Sequence, residues 1–256
     1  MEQRLTEAAR LLAVRRRVVV LTGAGISVES GIPDFRSKGG LWERFDPQEY
    51  ATIHAFRRDP AKVWRMLAEM EAVLDAAAPN PAHRALARLE EAGVVEGVIT
   101  QNIDGLHQAA GSRRVVEFHG SHRTLTCLSC GARFTREEAR ALGTPPPCRC
   151  GQILKPDVIF FGEMIPEEAL RESYRLANGC RVMLVVGTSA EVAPANQMPW
   201  IAKRAGAAVV EVNLVPSELT RTCTDVFLQG KAGVVLPALA EAVLGLLGDN
   251  GGRPEG

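Results

Sequence analysis

The sequence predicts an α/β fold built on a parallel sheet, and three observations carry that expectation. Short, β-branched apolar runs recur at 17–22, 94–100, 115–119, 181–186 and 207–213, and such runs read as strands buried on both faces. Longer stretches with apolar residues at helical spacing lie among them, so strand and helix alternate as in βαβ units. Each run is followed by a glycine-rich or small polar segment, at the strand end where open parallel sheets hold ligands.

A chain of 256 residues holds one large domain, or one domain with a smaller insertion. Its 46% apolar and 23% charged content is ordinary for a globular protein. Thirty basic and thirty acidic residues cancel, so net charge favours neither a nucleic acid nor a membrane surface as partner. No run approaches a membrane span, and the N-terminus lacks the basic-then-apolar layout of a secretory signal. Leu5-Thr-Glu-Ala-Ala-Arg-Leu-Leu12 reads as an amphipathic helix, while Glu2 and Glu7 argue against a transit peptide. The expected compartment is the cytoplasm, where six cysteines suggest metal or free thiols before disulfides.

Arg17-Val-Val-Val-Leu-Thr22 makes the first strand, and Gly23-Ala-Gly-Ile-Ser27 follows it directly. Two glycines let the backbone turn sharply and approach a ligand. Ile26-Ser-Val-Glu29 is expected to open a helix whose free N–H groups suit a pyrophosphate. Val28 stands where a dinucleotide fingerprint has its third glycine, so the Gly-x-Gly is weak by itself. The tail Gly31-Ile-Pro-Asp-Phe-Arg36 suits a loop that closes over a ligand, with Arg36 available to a phosphate. A plain solvated βα loop fits this segment alone equally well.

Residues 38–42 continue an irregular segment. Residues 60–74 carry Val63, Trp64, Leu67, Met70 and Leu74 at helical spacing, ended by Ala-Pro-Asn-Pro. Such a stripe is more often core than cofactor box. A second helix at 81–93 leads into the strand at 94–100, followed by Gln101-Asn-Ile-Asp-Gly-Leu-His107. Gln101, Asn102 and Asp104 offer partners for ribose hydroxyls and an amide; an Asn/Asp-Gly turn with helix capping uses the same residues. Their place after a buried strand favours function. Val115-Val-Glu-Phe-His119-Gly120 ends a further strand in a histidine, and neutral imidazole can take a proton from a sugar hydroxyl. His54, His83, His107 and His122 read as structural or peripheral.

Cys127-Leu-Ser-Cys130 and Cys148-Arg-Cys150 have seventeen residues between them, and Gly131 and Gly151 follow the pairs. Four cysteines in two close pairs read as a structural tetrahedral zinc site, closed and therefore not catalytic. The Cys-x-Cys pair is one residue tighter than usual, so its knuckle is expected to be distorted. Cys180 and Cys223 read as buried free thiols. Leu154-Lys-Pro-Asp-Val-Ile-Phe-Phe-Gly162-Glu163 is an apolar extended run. Strands at 181–186 and 207–213 end in Gly187-Thr-Ser189 and Asn213, and 225–233 reads as a last strand and turn. An amphipathic helix closes the chain to Leu247, and the glycine-rich tail after Asp249 is expected to fray. Five strand ends thus carry polar or glycine-rich loops, as a bound dinucleotide requires.

At these motifs the chain resembles the sirtuins of bacterial type, NAD-dependent protein-lysine deacylases. The matching segments are Gly-Ala-Gly-Ile-Ser with Gly-Ile-Pro-Asp-Phe-Arg, Thr-Gln-Asn-Ile-Asp-Gly-Leu-His, Phe-His-Gly, the cysteine pairs, Lys-Pro-Asp-Val-Ile-Phe-Phe-Gly-Glu, Gly-Thr-Ser and the late Asn213. They run in family order from about Arg17 to Ala232 and are highly specific jointly. The resemblance implies a Rossmann-like parallel-sheet domain (1–38, 80–120 and 159–256) and a small domain formed by two insertions, helical (39–79) and zinc-binding (121–158).

NAD, as co-substrate, would lie between them. Gly23, Ala24, Gly25 and Ser27 would sit near its pyrophosphate and Arg36 on phosphate. Gly187, Thr188, Ser189, Asn213, Leu214, Val215 and Ala232 would follow the adenosine half. Asp34, Phe35, Ile103 and Asp104 would surround the nicotinamide end, with Trp42, Gln101 and Asn102 also on the cofactor. The acylated protein would add as a strand beside Val158, Ile159, Phe160, Phe161 and Gly162, its acyl-lysine passing Phe161 and His119. Cys127, Cys130, Cys148 and Cys150 would hold structural Zn2+.

The chemistry implied by the resemblance begins with attack of the acyl oxygen on the ribose carbon bearing nicotinamide. His119 then acts as base on a ribose hydroxyl, with Asn102 and Asp104 beside it, and water completes the reaction, so that the products are free lysine, nicotinamide and O-acyl-ADP-ribose. Members that act on acidic acyl groups carry a Tyr and an Arg three residues apart in the first insertion. Leu67 and Met70 align there, and an apolar pair cannot neutralise a buried carboxylate, so acetyl or another neutral acyl group is expected. Two rivals use the same scaffold: a protein ADP-ribosyltransferase, and a non-catalytic NAD or acyl-lysine sensor. A dehydrogenase fits least, since the third fingerprint glycine is missing.

Overall fold

The computed structural model describes residues 2–34 and 40–250, and only the backbone at 249 and 250. Among the described residues, nine strands form two sheets. The strands are β1 (Val18–Thr22), β2 (Val95–Thr100), β3 (Val115–Glu117), β4 (Gly120–Thr126), β5 (Arg133–Thr135), β6 (Lys155–Val158), β7 (Val182–Val186), β8 (Ala208–Asn213) and β9 (Val226–Gln229). The larger sheet runs β3-β2-β1-β7-β8-β9, with every pairing parallel. It is the parallel sheet that the strand grammar predicts, and the Rossmann-like one that the resemblance implies.

The order of that sheet decides where a ligand can sit. The chain leaves β1 toward β2 and β3, then returns to the other side of β1 as β7. Beyond the carboxyl ends of β1 and β7 the connections diverge to opposite faces, and a crevice opens at such a switch point. Strands β1 and β7 are buried at every position, as a central strand covered on both faces must be. Val18, Val20, Leu184 and Val186 pack on one face with the helices Glu2–Arg15, Pro81–Glu91 and Ala232–Asn250. Val19, Leu21, Met183 and Val185 pack on the other with the helices Glu167–Gly179 and Met198–Arg204. The alternation is the period of two that a pleated strand imposes.

The smaller sheet, β5-β4-β6, is antiparallel. A separate apolar cluster joins Leu125 and Phe134 of this sheet, and Leu154 just before β6, to Phe56, Val63, Trp64 and Leu67. The last three belong to the helix Pro60–Ala76, and Met70 packs against the cluster, so the stripe is core from Val63 to Met70. Trp64 Nε1 donates to the Leu154 carbonyl at 2.9 Å. Arg136 reaches from the cysteine-bearing segment to Asp75 at 2.7 Å and to Glu71.

Local details differ from the sequence reading where turns intervene. Ile26 does not open an α-helix; Ala24–Ile26 and Val28–Ser30 are two 3-10 turns. Gly31 ends the second at φ 86°, and Pro33 follows too closely for a regular helix to extend. Strand β3 stops at Glu117, before His119. Ala232 begins the last helix rather than a turn, and that helix continues to Asn250. Leu41–Arg44 is a helical turn where an irregular segment was expected. The tail 251–256, expected to fray, lies outside the described residues. Among those described, no helix is long and apolar enough to cross a membrane.

Candidate active site at the switch point

The loops after β1 and β7 interlock without room for side chains. Gly25 donates its N–H to the Gly187 carbonyl at 2.8 Å. A Cβ on Gly25 would lie 2.7 Å from Gly187 Cα, and one on Gly23 would lie 2.8 Å from the Gly187 oxygen. Gly187 itself sits at φ 60°, and a Cβ there would meet the Ile26 nitrogen at 2.5 Å. These glycines bring two backbones together, and the Gly25 N–H is occupied within the protein.

Behind the loops lies a buried polar network. Ser27 is fully buried and donates to Asp104 Oδ2 at 2.6 Å. Asn102 Nδ2 donates to Ser27 Oγ and to the Gly23 carbonyl, both at 3.1 Å. Asp104 Oδ1 accepts the Leu106 N–H at 2.9 Å, so this aspartate caps the following helical turn as well as holding Ser27. The turn and helix-start reading of Gln101–His107 is thus met by Asp104. Gln101 Nε2 donates to Thr188 Oγ1 at 3.0 Å, and Asn213 Nδ2 donates to the Thr188 carbonyl at 3.0 Å. The ends of β1, β2, β7 and β8 are thus joined side chain by side chain.

His119 completes this edge. Its Nδ1 lies 3.1 Å from the Gln101 carbonyl, which can only accept, so Nδ1 carries the proton and Nε2 the lone pair. Burial pushes the imidazole pKa below its usual value, and the Gln101 carbonyl offsets part of that shift. A ring that stays neutral, with one nitrogen oriented as acceptor, can accept a proton.

Ile159 donates to the His119 carbonyl at 2.9 Å, tying the histidine to residues 158–162. In that segment Val158 and Ile159 are half-buried, Phe160 is buried, and Phe161 is 44% exposed. Phe161 also bridges Thr52 in parallel. Ser189, Leu214 and Val215 are exposed beside Asn213. Ala232 is buried at the start of its helix, where the Gly233 N–H meets Glu29 Oε2 at 2.6 Å. Asp34 accepts the Leu41 N–H at 3.1 Å, and Trp42 packs against the small-sheet cluster. Phe35 and Arg36 lie outside the described residues.

Cys127, Cys130, Cys148 and Cys150 converge at the edge of the small sheet, away from this network. Their sulfurs all lie within 4.8 Å of one another, with Cys127–Cys150 at 3.5 Å and Cys130–Cys148 at 3.6 Å. Sulfurs about 2.3 Å from a tetrahedral zinc would be about 3.8 Å apart, so the donor set fits that ion. Gly131 and Gly151 take φ of 73° and 86°, which lets both short knuckles close.

The match to known families decides what this edge belongs to. A model of the Sir2 family matches residues 23–194. The chain belongs to the Sir2 family. Among its Sir2 relatives is NAD-dependent protein deacylase 2 of Pyrobaculum aerophilum, 55% identical over 92% of this chain and 94% of the relative. NAD-dependent protein deacylase of Thermococcus kodakarensis is 46% identical over 96% of this chain and 98% of the relative. A structure of a Sir2 homolog–NAD complex is similar with a TM-score of 0.87 at 43% identity, covering 94% of each chain. A Sir2 structure bound to a myristoylated histone peptide has a TM-score of 0.83 at 42% identity, covering 97% of this chain and 100% of that one.

Two histidines read from sequence as structural join the buried network of this Sir2 protein. His83 Nε2 lies 3.5 Å from Ser27 Oγ, and the His107 ring packs edge-on to it at 4.9 Å. His107 Nε2 meets Thr22 Oγ1 at 3.0 Å. The signal for His83 was present: it stands three residues after Asn80-Pro, where the structure closes a capping box. His122 Nδ1 bonds the Ile103 carbonyl, so it too touches the loop after β2. His54 has no such place.

Proposed function

We propose that the chain is an NAD-dependent protein-lysine deacylase, releasing nicotinamide and O-acyl-ADP-ribose and acting on acylated proteins. The observation that carries this reading is His119: a neutral histidine, its acceptor nitrogen oriented by the Gln101 carbonyl, at the strand-end edge beside Asn102 and Asp104. NAD supplies the ribosyl carbon that nicotinamide leaves and the acyl group joins. The interlocked glycines 23, 25 and 187 form a cradle in which backbone, not side chain, lines the switch point, and this fits a dinucleotide.

Within that reading, Nε2 of His119 takes the proton of a ribose hydroxyl. Asn102, held by Ser27 and Gly23, positions ribose, and Asp104 faces the nicotinamide end. Ala24, Ser189, Leu214, Val215 and Ala232 serve the rest of the dinucleotide. Residues 158–162 receive the substrate backbone, which gives affinity with little sequence demand. The four cysteines hold zinc, which secures the small sheet and takes no part in the chemistry. The large domain is 1–38, 80–120 and 159–256, and the two insertions form the small one.

Leu67 and Met70 pack within the small-domain apolar cluster. A succinyl carboxylate buried there would lack a partner, so a neutral acyl group is the substrate. Matched acetyl- and succinyl-lysine peptides with NAD, read by mass spectrometry, test this. Acetyl turnover should exceed succinyl turnover at least about tenfold; equal rates would contradict it.

A further inference from the structure

Just behind residues 158–162 lies an ion pair that the chemistry does not use. Lys155 is 4% exposed, and its Nζ lies 2.8 Å from Glu163 Oε2. The same ammonium donates to the Val158 carbonyl at 2.7 Å and the Pro156 carbonyl at 3.1 Å, so all three donors are engaged. It also stands 4.5 Å from the centre of the Phe160 ring. Glu163 Oε2 accepts the Phe160 N–H at 2.8 Å, and Glu163 returns its own N–H to the Phe160 carbonyl at 3.0 Å. The result is a turn over 160–163, latched by backbone and side chain together. Gly162 takes φ 85° in it, and the exposed Phe161 stands at its crest.

Replacing a buried ion pair with apolar side chains of similar size is often neutral or stabilising. Stability alone is therefore a poor reason for burying a lysine here. What this pair fixes is shape: the carbonyl of Val158, the N–H of Phe160 and the presentation of Phe161. On the other side, Phe161 N–H and carbonyl are engaged by Ala51 and Ile53 at 2.9 and 3.0 Å.

We propose that Lys155 and Glu163 are positioning residues for acyl-peptide binding, holding the 158–162 edge in the form that pairs with the substrate backbone. This rests on the deacylase reading. Three proteins test it: the wild type, a Lys155→Met/Glu163→Leu double variant, and Glu163→Gln, whose amide oxygen can still accept from Phe160 and Lys155. The readouts are Tm, ADP-ribose affinity, binding of a fluorescent acetyl-lysine peptide, and kcat and KM with that peptide.

The double variant should keep its Tm within about 5 °C. Its peptide Kd and KM should rise about tenfold or more, with kcat within about threefold and ADP-ribose affinity unchanged. Glu163→Gln should recover most of that loss. If the double variant does not fold, Glu163→Ala carries the same expectation, because Lys155 keeps two carbonyl partners. Wild-type peptide affinity in a folded variant, or equal loss of ADP-ribose affinity, would overturn the proposal. A wild type that neither binds nor turns over the peptide would instead overturn the deacylase reading, before any substitution is made.

Discussion

His119 shows how one hydrogen bond sets a tautomer, and with it the role we propose for the ring. The Gln101 carbonyl fixes the tautomer, and burial keeps the ring neutral at lower pH than free histidine. The acid limb of kcat/KM should therefore lie below the ordinary histidine value of 6.5. His119→Ala should lower kcat by about a thousandfold or more while leaving ADP-ribose affinity within about threefold; unchanged turnover would remove His119 from its role. The other histidines act on stability. Burial lowers His83 to about 4 and His107 to about 3 in the folded protein, against 6.5 when unfolded. The unfolded chain then binds more protons below pH 6.5, so stability is full above that pH and falls toward 4. Denaturant titrations should show a loss on the order of 5 kcal/mol between pH 7 and pH 4.5. At this scale sequence was informative for residues that follow strands directly, such as Asn102 and His119. It was uninformative for His107, and for His83 it offered the capping position but not the contact with Ser27; their partners lie 85 and 56 residues away along the chain.

The elements most legible in the sequence were the central strands, because burial on both faces demands an unbroken apolar run. The turn after β1 was less so. Helix opening at Ile26 was a local expectation, and tertiary packing overrode it: Gly25 spends its N–H on Gly187, across the switch point. Glycine at 187 meets two demands, positive φ and close approach to Ile26, and only its neighbour loop reveals the second. Gly187→Ala should destabilise the protein by about 2–4 kcal/mol and weaken ADP-ribose binding. Calorimetry with and without ADP-ribose measures both. At the cysteine edge, spacing alone indicated that the four thiols converge, as they do. A strong chelator should lower Tm and release one zinc per chain; a chelator-treated protein with unchanged Tm and no released metal would remove the zinc assignment.

At the scale of the molecule, two insertions far apart in sequence share one apolar cluster and one ion-pair network. Arg136 and Arg140 both face Glu71 and Asp75. Arg136 is largely buried, so Arg136→Ala leaves a cavity and takes one of two arginines from Glu71 and Asp75, and should cost about 1–3 kcal/mol, read by denaturant unfolding. No periodicity foretells such a pairing, because it depends on how two independent segments dock. Sequence motifs indicated that a small domain exists; the structure gives what fastens it. The six-stranded order carries the central claim, for it joins the ends of β1, β2, β7 and β8 at one edge, and His119 meets that edge through the Gln101 carbonyl. The most direct test incubates the protein with NAD and an acetyl-lysine peptide and resolves all products by mass spectrometry. Deacetylated peptide, nicotinamide and O-acetyl-ADP-ribose should form in equal amounts. ADP-ribose attached to the peptide, or no nicotinamide release at all, would contradict the account.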